Sequence, residues 1–193
     1  MEYIDNILDE LYDYKPFNEQ EEFDKQAFNY FIDNSDEVLT RDNLFGHLTT
    51  SALVLTPDHK KMLMVHHNIF GGLIYPGGHA DGISDLLSVA KREVQEETGL
   101  DVSPLDDGKI FGIQALPIEG HIKKGKYVPA HIHYDFVYLF EAKEEDLEKI
   151  RVLESENSKV AWVTLEDSYG EESVSWIRPI LKKLVDKLKT LEK

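Results

Sequence analysis

Apolar side chains recur at helical spacing over the first 40 positions of the chain, which predicts two helices. Their apolar positions are Ile4, Ile7, Leu8 and Leu11 in the first helix and Phe23, Phe28, Phe31 and Ile32 in the second. A polar break, Asn-Ser-Asp, follows at 34–36. An apolar stripe on an acidic segment needs a partner surface, either the rest of the chain or a second copy in a homodimer. We therefore assign residues 1–40 to an N-terminal helical extension and residues 41–193 to the main domain.

From residue 47 onward the apolar positions alternate with polar ones or form short runs, as is typical of strands. Strands are predicted at 47–57, 61–67, 109–117, 130–142 and 159–165. The last segment, 174–191, has an amphipathic helical pattern, and Pro179 inside it places the start of that helix near the proline. This series of elements predicts an α+β fold, an α/β/α sandwich in which a mixed sheet packs between helices.

A third helix is predicted over residues 85–98, with Gly99 just beyond its end. Its core-facing positions are Leu86, Leu87, Ala90 and Val94. Helical geometry places Glu97 on the same face and Glu93 at the edge of that face, one turn earlier. Glu96 adjoins both, so that the last two turns of this helix carry three carboxylates.

Carboxylates this close together repel one another, and a helix C-terminus disfavours acids as well. Taken alone, Glu96 and Glu97 could lie on a frayed, exposed last turn. The preceding loop favours another interpretation, because Gly77 and Gly78 let the backbone turn sharply and approach a ligand closely. These two glycines are therefore candidate substrate contacts. Acidic side chains that point towards a core face indicate a binding site for hard divalent cations. One such cation, Mg²⁺, is bound by oxygen ligands from carboxylates, water and phosphate.

The segment GGHADGISDLLSVAKREVQEETGL, residues 77–100, resembles the Nudix box. That pattern is Gly, five residues, Glu, seven residues, then Arg-Glu-aliphatic-x-Glu-Glu-x-Gly-aliphatic. The positions that match it in register are Gly78, Arg92, Glu93, Val94, Glu96, Glu97, Gly99 and Leu100. Ser84, the predicted N-cap of the helix, stands in place of the first Glu, so that Asp81 or Asp85 would have to substitute for this carboxylate. The wider stretch from His47 also looks like one bacterial Nudix subgroup.

The resemblance implies that residues 41–193 form a Nudix hydrolase domain with the Nudix fold. The implied reaction is hydrolysis of a diphosphate bond in a nucleoside diphosphate linked to another moiety, or in a similar small phosphorylated substrate. It further implies that Glu93, Glu96 and Glu97 bind Mg²⁺, for which Mn²⁺ could substitute, and that they act in catalysis together with Arg92. The ion would activate the attacking water and neutralise phosphoryl charge. Arg92 would hold the loop or a glutamate in place through an ion pair.

Further substrate contacts are predicted on the strand at 130–142. Its period of two puts His131, His133 and Asp135 on one face, opposite a strongly aromatic face. That polar face could be an ordinary surface whose polar groups have hydrogen-bond partners, but we expect it to line the substrate cleft. The general base stays open among residues outside the box, and the polar face of this strand, which also carries Glu141, is the main source of candidates. Weaker candidates are Glu119, Glu154 and Glu156, while His66 and His67 could reach substrate or cap the sheet.

The chain has a net charge of −16 and no cysteine. Disulfides, thiolate metal sites and cysteine nucleophiles are thereby excluded. The charge repels nucleic-acid polymers, and the one compact basic stretch, 121–127, is interpreted as a solvated hairpin tip. No apolar run is long enough to span a membrane, and the acidic N-terminus does not resemble a secretory signal. We expect a cytoplasmic protein whose partner is a small nucleotide-like diphosphate, bridged to it by metal cations.

Two other functions are considered for a Nudix-like chain. The resemblance implies that isopentenyl diphosphate isomerases use a catalytic cysteine, which is missing here. The alternative that remains open is a non-catalytic Nudix-like domain that senses nucleotides and regulates a partner. Loss of box carboxylates would favour such a domain, and only the position of Ser84 has lost one.

Overall fold

The computed structural model describes residues 2–123, 125–153 and 157–191. The helices in this part of the chain are α1 (Glu2–Asp13), α2 (Glu19–Asn34), α3 (Leu86–Thr98) and α4 (Arg178–Leu191). The strands are β1 (Gly46–Leu55), β2 (Lys61–His67), β3 (Gly72–Ile74), β4 (Gly77–His79), β5 (Val102–Pro104), β6 (Ile110–Ile118), β7 (His121–Lys123), β8 (Lys126–Val128), β9 (His131–Ala142) and β10 (Asn157–Thr164). Among the described residues, no helix combines the length and the apolar character that crossing a bilayer requires.

Eight of the strands form one sheet, in the order β10-β2-β1-β9-β5, with β3 on β2, β4 on β1 and β6 on β9. Strands β7 and β8 form a separate two-stranded hairpin, which agrees with the interpretation of the basic stretch as a hairpin tip. A large sheet accompanied by four described helices confirms the predicted α+β class. The helix predicted to start near Pro179 begins one residue before it.

Contacts within the chain divide it into two compact units. The first unit comprises Met1–Thr50, Gly78–Val89 and Ile110–Val137, and the second comprises Ser51–Gly77, Ala90–Lys109 and Tyr138–Lys193.

In the first unit the predicted N-terminal helices are present, and α2 packs against β6. Phe28 meets Phe136 of β9 edge to face at 5.0 Å, and Phe31 stacks on Tyr134 at 4.2 Å between ring centroids. The chain itself therefore covers much of the apolar stripe, and the aromatic face of β9 contributes to the core. Phe23 was assigned to the same stripe, but its side chain is exposed.

The connection between α1 and α2 is fixed by a buried carboxylate. Asn18 caps α2 by accepting the backbone N–H of Glu21 at 3.0 Å. The carboxylate of Glu21 accepts the Tyr14 hydroxyl at 2.5 Å and the Phe17 N–H at 2.8 Å. Burial of the hydroxyl and the adjacent charge of Glu21 raise the pKa of Tyr14 well above its usual value, so the hydroxyl stays protonated and donates.

In the second unit β2 lies between antiparallel neighbours, with Leu55 of β1 opposite Met62 and Val160 of β10 opposite Val65. Helix α4 packs against the turn Asp167–Tyr169. Its buried apolar side chains are Leu181, Leu184, Val185 and Leu188.

Candidate active site

Helix α3 begins with a cap that differs from the predicted one. Asp85, rather than Ser84, accepts the backbone N–H of Ser88 at 3.0 Å and its hydroxyl at 2.6 Å. Asp81 is bound by Arg41 at 2.6 Å. The prediction of Ser84 as the N-cap was therefore wrong, because the longer carboxylate side chain one residue later reaches the third N–H of the helix. Both acids that could replace the missing box Glu already have local partners.

The three box glutamates near the end of α3 differ in exposure as helical spacing predicts. The Glu97 residue is 3% exposed, while the side chains of Glu93 and Glu96 are 14% and 55% exposed. Glu97 thus faces inward, Glu93 lies at the edge of the inward face, and Glu96 lies outside it. Their metal ligation stays a prediction.

The carboxylate of Glu97 is held by two donors within the second unit. Its Oε1 accepts the backbone N–H of Gly77 at 3.0 Å, and its Oε2 accepts the side-chain amide of Asn157 at 2.8 Å. Asn157 is buried at the first position of β10. Hydrogen bonds to a charged group contribute about 1.5–3 kcal/mol each. These two offset the unfavourable position of a buried acid at a helix C-terminus and fix the orientation of the carboxylate.

Arg92 forms the ion pairs that were predicted for it. Its Nη2 lies 2.8 Å from Glu93 Oε1, and its Nε lies 3.5 Å from Glu96 Oε1. The first distance is that of a charge-assisted hydrogen bond, and the second is a looser contact across one helical turn. Arg92 therefore restrains Glu93 more than Glu96.

Gly99 ends α3 in the left-handed region at φ 77°, as predicted for this glycine. The following segment covers the open end of the helix, since Arg151 N–H donates to the Thr98 carbonyl at 2.7 Å and Leu153 N–H donates to the Glu97 carbonyl at 3.3 Å. A Cβ on Gly99 would collide with the Arg151 guanidinium. A cavity of about 380 Å³ opens beside this turn, lined by Gln95, Glu96, Gly99, Arg151, Val152 and Leu153.

Four histidines come together in the first unit. His47 lies 4.9–5.0 Å from the rings of His79, His131 and His133, measured between centroids. His133 lies 4.9 Å from both His79 and His131. The arrangement follows from the sheet, in which β4 pairs with β1 and β1 lies next to β9. We call these four residues the histidine cluster.

Burial keeps three members of the histidine cluster, His47, His79 and His133, neutral near pH 7. Burial and repulsion from His131 lower the pKa of His47 to about 4. Burial and the charge of Arg41 lower the pKa of His79 to about 3. Burial and repulsion from His79 lower the pKa of His133 to about 2. Several adjacent imidazoles that are already partly desolvated cannot all carry charge. These three therefore offer lone pairs rather than positive charge.

Asp135, which shares the predicted polar face with two of these histidines, is 2% exposed. Its Oδ1 accepts the Thr49 hydroxyl at 3.0 Å, and its Oδ2 accepts the Gln114 side-chain amide at 2.7 Å. Both oxygens thus have donors inside the first unit. A direct contact of Asp135 with substrate stays a prediction.

The remaining candidates for a general base or a substrate contact have local hydrogen bonds, are exposed or lie outside the described residues. His66 Nδ1 pairs with the Ser158 hydroxyl at 2.8 Å, and His67 Nδ1 accepts the Ile69 N–H at 3.2 Å. Glu119 is exposed just after β6. Glu154 and Glu156 lie outside the described residues.

The functional residues predicted from the sequence do not include Asn157, His47 or His79. Asn157 reaches Glu97 only through the fold, from the start of a distant strand. His79 ends the glycine loop and His47 begins a strand, but nothing in their spacing connects them with His133. Only the pairing of three strands brings these side chains together.

Comparison with known proteins gives a consistent family signal. A family model described as NUDIX domain matches residues 46–184. A NUDIX-family hydrolase from Clostridium perfringens is 21% identical, with 74% of this chain and 97% of that chain covered and a TM-score of 0.52. An Ap4A hydrolase of C. elegans is 18% identical, with 74% of this chain and 98% of that chain covered and a TM-score of 0.51. A MutT protein from Methanosarcina mazei Go1 is 19% identical, with 75% of this chain and 96% of that chain covered and a TM-score of 0.54. At these sequence identities, the similarity to solved structures shows only that the fold is shared. A search of curated proteins by sequence found no match.

Proposed function

Because the chain belongs to the NUDIX family, whose model matches most of its length, we propose that it is a metal-dependent hydrolase of a diphosphate bond. The substrate class is a nucleoside diphosphate linked to another moiety, or a similar small phosphorylated molecule. The observation that carries the proposal is the carboxylate of Glu97, buried and oriented by two donors on a helix that also carries Glu93 and Glu96.

The donor set fits a hard divalent cation. Glu93, Glu96 and Glu97 would hold Mg²⁺, or Mn²⁺ in its place, since all three offer carboxylate oxygens within one helical turn. An ionised carboxylate has about four acceptor positions, and in Glu97 the N–H of Gly77 and the side-chain amide of Asn157 each take one. When bound, the ion lowers the pKa of a water molecule and neutralises charge on phosphoryl oxygens.

The chain's own residues orient this site. Gly77 and Asn157 hold Glu97 by hydrogen bonds, and Arg92 holds Glu93 by an ion pair. Fixed ligands need no rearrangement when charge develops in the transition state, which is how a preorganised site lowers the barrier. Gly77 therefore contributes through its N–H, and Gly78 provides backbone that a phosphate can approach.

We further propose that His131 and His133 line the substrate cleft. The low pKa of His133 supports a neutral ring that offers a lone pair to a polar ligand. Asp135 would position the two histidines indirectly, because its oxygens accept hydrogen bonds from Thr49 and Gln114 and so hold β9 in place.

The test is turnover on a panel of diphosphates with Mg²⁺ or Mn²⁺, followed as phosphate or nucleotide release. The panel contains nucleoside triphosphates, nucleotide sugars, ADP-ribose and dinucleoside polyphosphates. We expect one class to be hydrolysed, and Glu93→Gln to lower that turnover. If no member is hydrolysed but nucleotides bind tightly, the proposal is wrong and a nucleotide-sensing domain is the better description.

A further inference from the structure

We propose that His47, His79 and His133 form a second metal site, built for a first-row transition ion such as Zn²⁺, with His131 as a positioning residue. One ring nitrogen from each of the three residues lies within 4.8 Å of the others. The site is separate in chemistry from the glutamates of α3, since all its donors are imidazole nitrogens. It lies entirely within the first unit of the chain.

The spacing of the three nitrogens is close to that of a ligand set. Imidazole nitrogens bind Zn²⁺ at about 2.0–2.1 Å, which places tetrahedral ligands about 3.4 Å apart. Nitrogens separated by at most 4.8 Å would each have to move inward by about 1 Å or less. Small rotations of side chains on β1, β4 and β9 can supply that shift without a change in the sheet.

His47 is the residue that most needs a ligand. It is 5% exposed, and within the described part of the chain neither of its ring nitrogens has a hydrogen-bond partner. The backbone of Asn43 acts to raise the pKa of His47, but its approach does not meet hydrogen-bond geometry. A buried polar atom without a partner is unfavourable in a folded protein. An ion that takes the lone pair of His47 would satisfy one of these two nitrogens.

Hydrogen bonds within the cluster orient His133 for coordination. The carbonyl of Pro129 can only accept, so the Nδ1 of His131, 2.8 Å away, carries a proton. With that proton on Nδ1, the Nε2 of His131 can accept a hydrogen bond, and the Nε2–H of His133 donates to it at 3.0 Å. This tautomer leaves the lone pair of His133 on Nδ1. A second imidazole that accepts the far N–H of a ligand fixes its ring and strengthens it as a donor.

The donor type selects the ion. Neutral imidazoles suit Zn²⁺ and its neighbours in the first transition row, whereas Mg²⁺ prefers oxygen. The nearby positive charge of Arg41 opposes a cation, but Asp81 pairs with it at 2.6 Å. With three protein ligands a tetrahedral ion keeps one position open for water or another small ligand.

The test uses the full chain, freed of metal by a chelator and kept in excess Mg²⁺ so that carboxylate sites are occupied. Co²⁺ is then titrated and its visible absorption recorded, because Co²⁺ in a four-coordinate site absorbs far more strongly than Co²⁺ in a six-coordinate site of oxygen ligands. We expect one Co²⁺ per chain with strong bands, and loss of those bands when Zn²⁺ is added.

Four variants assign the bands. His47→Gln and His79→Gln should weaken Co²⁺ binding by about 100-fold or more, and His131→Gln by about 10–100-fold, the range for a group that orients a ligand. His121→Gln is the matched control, since this ring contacts the Glu119 carbonyl on a hairpin outside the cluster. It should bind Co²⁺ as the parent does. Circular dichroism confirms that each variant is folded.

The parent protein alone can overturn the proposal. If the parent protein shows no strong Co²⁺ bands in the presence of excess Mg²⁺, the proposal is wrong, whether or not the histidine variants fold. Bands that survive in both His47→Gln and His79→Gln but vanish in Glu97→Gln would assign the ion to α3 and would also overturn it. Failure of the hydrolase assay would leave this result untouched, because the readout does not depend on turnover.

Discussion

Replacement of Glu97 by glutamine tests the carboxylate site with the smallest change in shape. The new amide oxygen can keep the hydrogen bond from Gly77 N–H, but the amide nitrogen then faces the side-chain nitrogen of Asn157, so two donors meet. A flip of the Asn157 amide would present its Oδ1, which has no partner among the described residues. The fold should therefore accept Glu97→Gln.

The expected effect on stability is small and the effect on rate is large. Conversion of the two charged hydrogen bonds into neutral ones loses about 1 kcal/mol for each bond. Relief of repulsion from Glu93 one turn away returns about 0.2–0.5 kcal/mol, and relief of the helix dipole returns about 0.3–1 kcal/mol. The free energy of unfolding of the metal-free variant should thus lie within about 2 kcal/mol of the parent value. Loss of an electrostatic stabiliser lowers kcat by about 10²–10³, with a smaller change in KM.

The assay compares kcat and the Mg²⁺-dependent rise in melting temperature for the parent, Glu97→Gln and a control. Glu144→Gln makes the same chemical change at an exposed carboxylate outside α3. Mg²⁺ should stabilise the parent and the control more than Glu97→Gln, because only a folded state with its ligands intact gains from binding. A Glu97→Gln protein with parental kcat and an unchanged melting shift would remove Glu97 from the site and refute the metal–carboxylate argument.

Three further changes test the surrounding structure. Deletion of residues 1–40 should lower the melting temperature sharply or change the molecular size, because α2 covers β6 and buries several aromatic side chains. Calorimetry measures the first value and sedimentation the second, and the prediction is wrong if both stay unchanged. Tyr14→Phe should destabilise the chain by about 1–3 kcal/mol in urea unfolding, since it removes a donor from the buried Glu21, whereas Tyr12→Phe at an exposed ring should have almost no effect. Asn157→Ala should lower kcat more than it changes KM, because it frees a box carboxylate without removing it; a change confined to unfolding free energy would indicate a purely structural role.

The long elements could be predicted because their periodicity is strong. Strands β1 and β9 and helix α3 each have an apolar pattern that extends over several repeats, and their observed bounds lie close to the predicted ones. The three-residue strands β3, β4 and β5 were not predicted. Such short segments contain too few residues to show a period, and they are defined by pairing with a neighbour.

The two candidate sites differ in how far the sequence could reveal them. The face and relative burial of Glu93 and Glu97 follow from helix geometry alone, because all positions lie on one element. The cap at Asp85 could not be distinguished from Ser84 at the sequence level, since both residue types cap helices and they are adjacent. The histidine cluster needs the pairing of β4, β1 and β9, which no local pattern contains.

The chain therefore offers two sets of donors with different preferences for metal ions. In the two proposed sites, the glutamates of α3 would supply oxygens for a hard cation, and His47, His79 and His133 would supply nitrogens for a softer one. An assay in Mg²⁺ alone would engage only the first set. If an ion in the histidine cluster affects substrate binding, removal of trace Zn²⁺ should change KM while turnover still depends on Mg²⁺. Removal of Mg²⁺ should instead lower kcat. Metal dependence in this protein should consequently be measured with each ion in the absence and presence of the other.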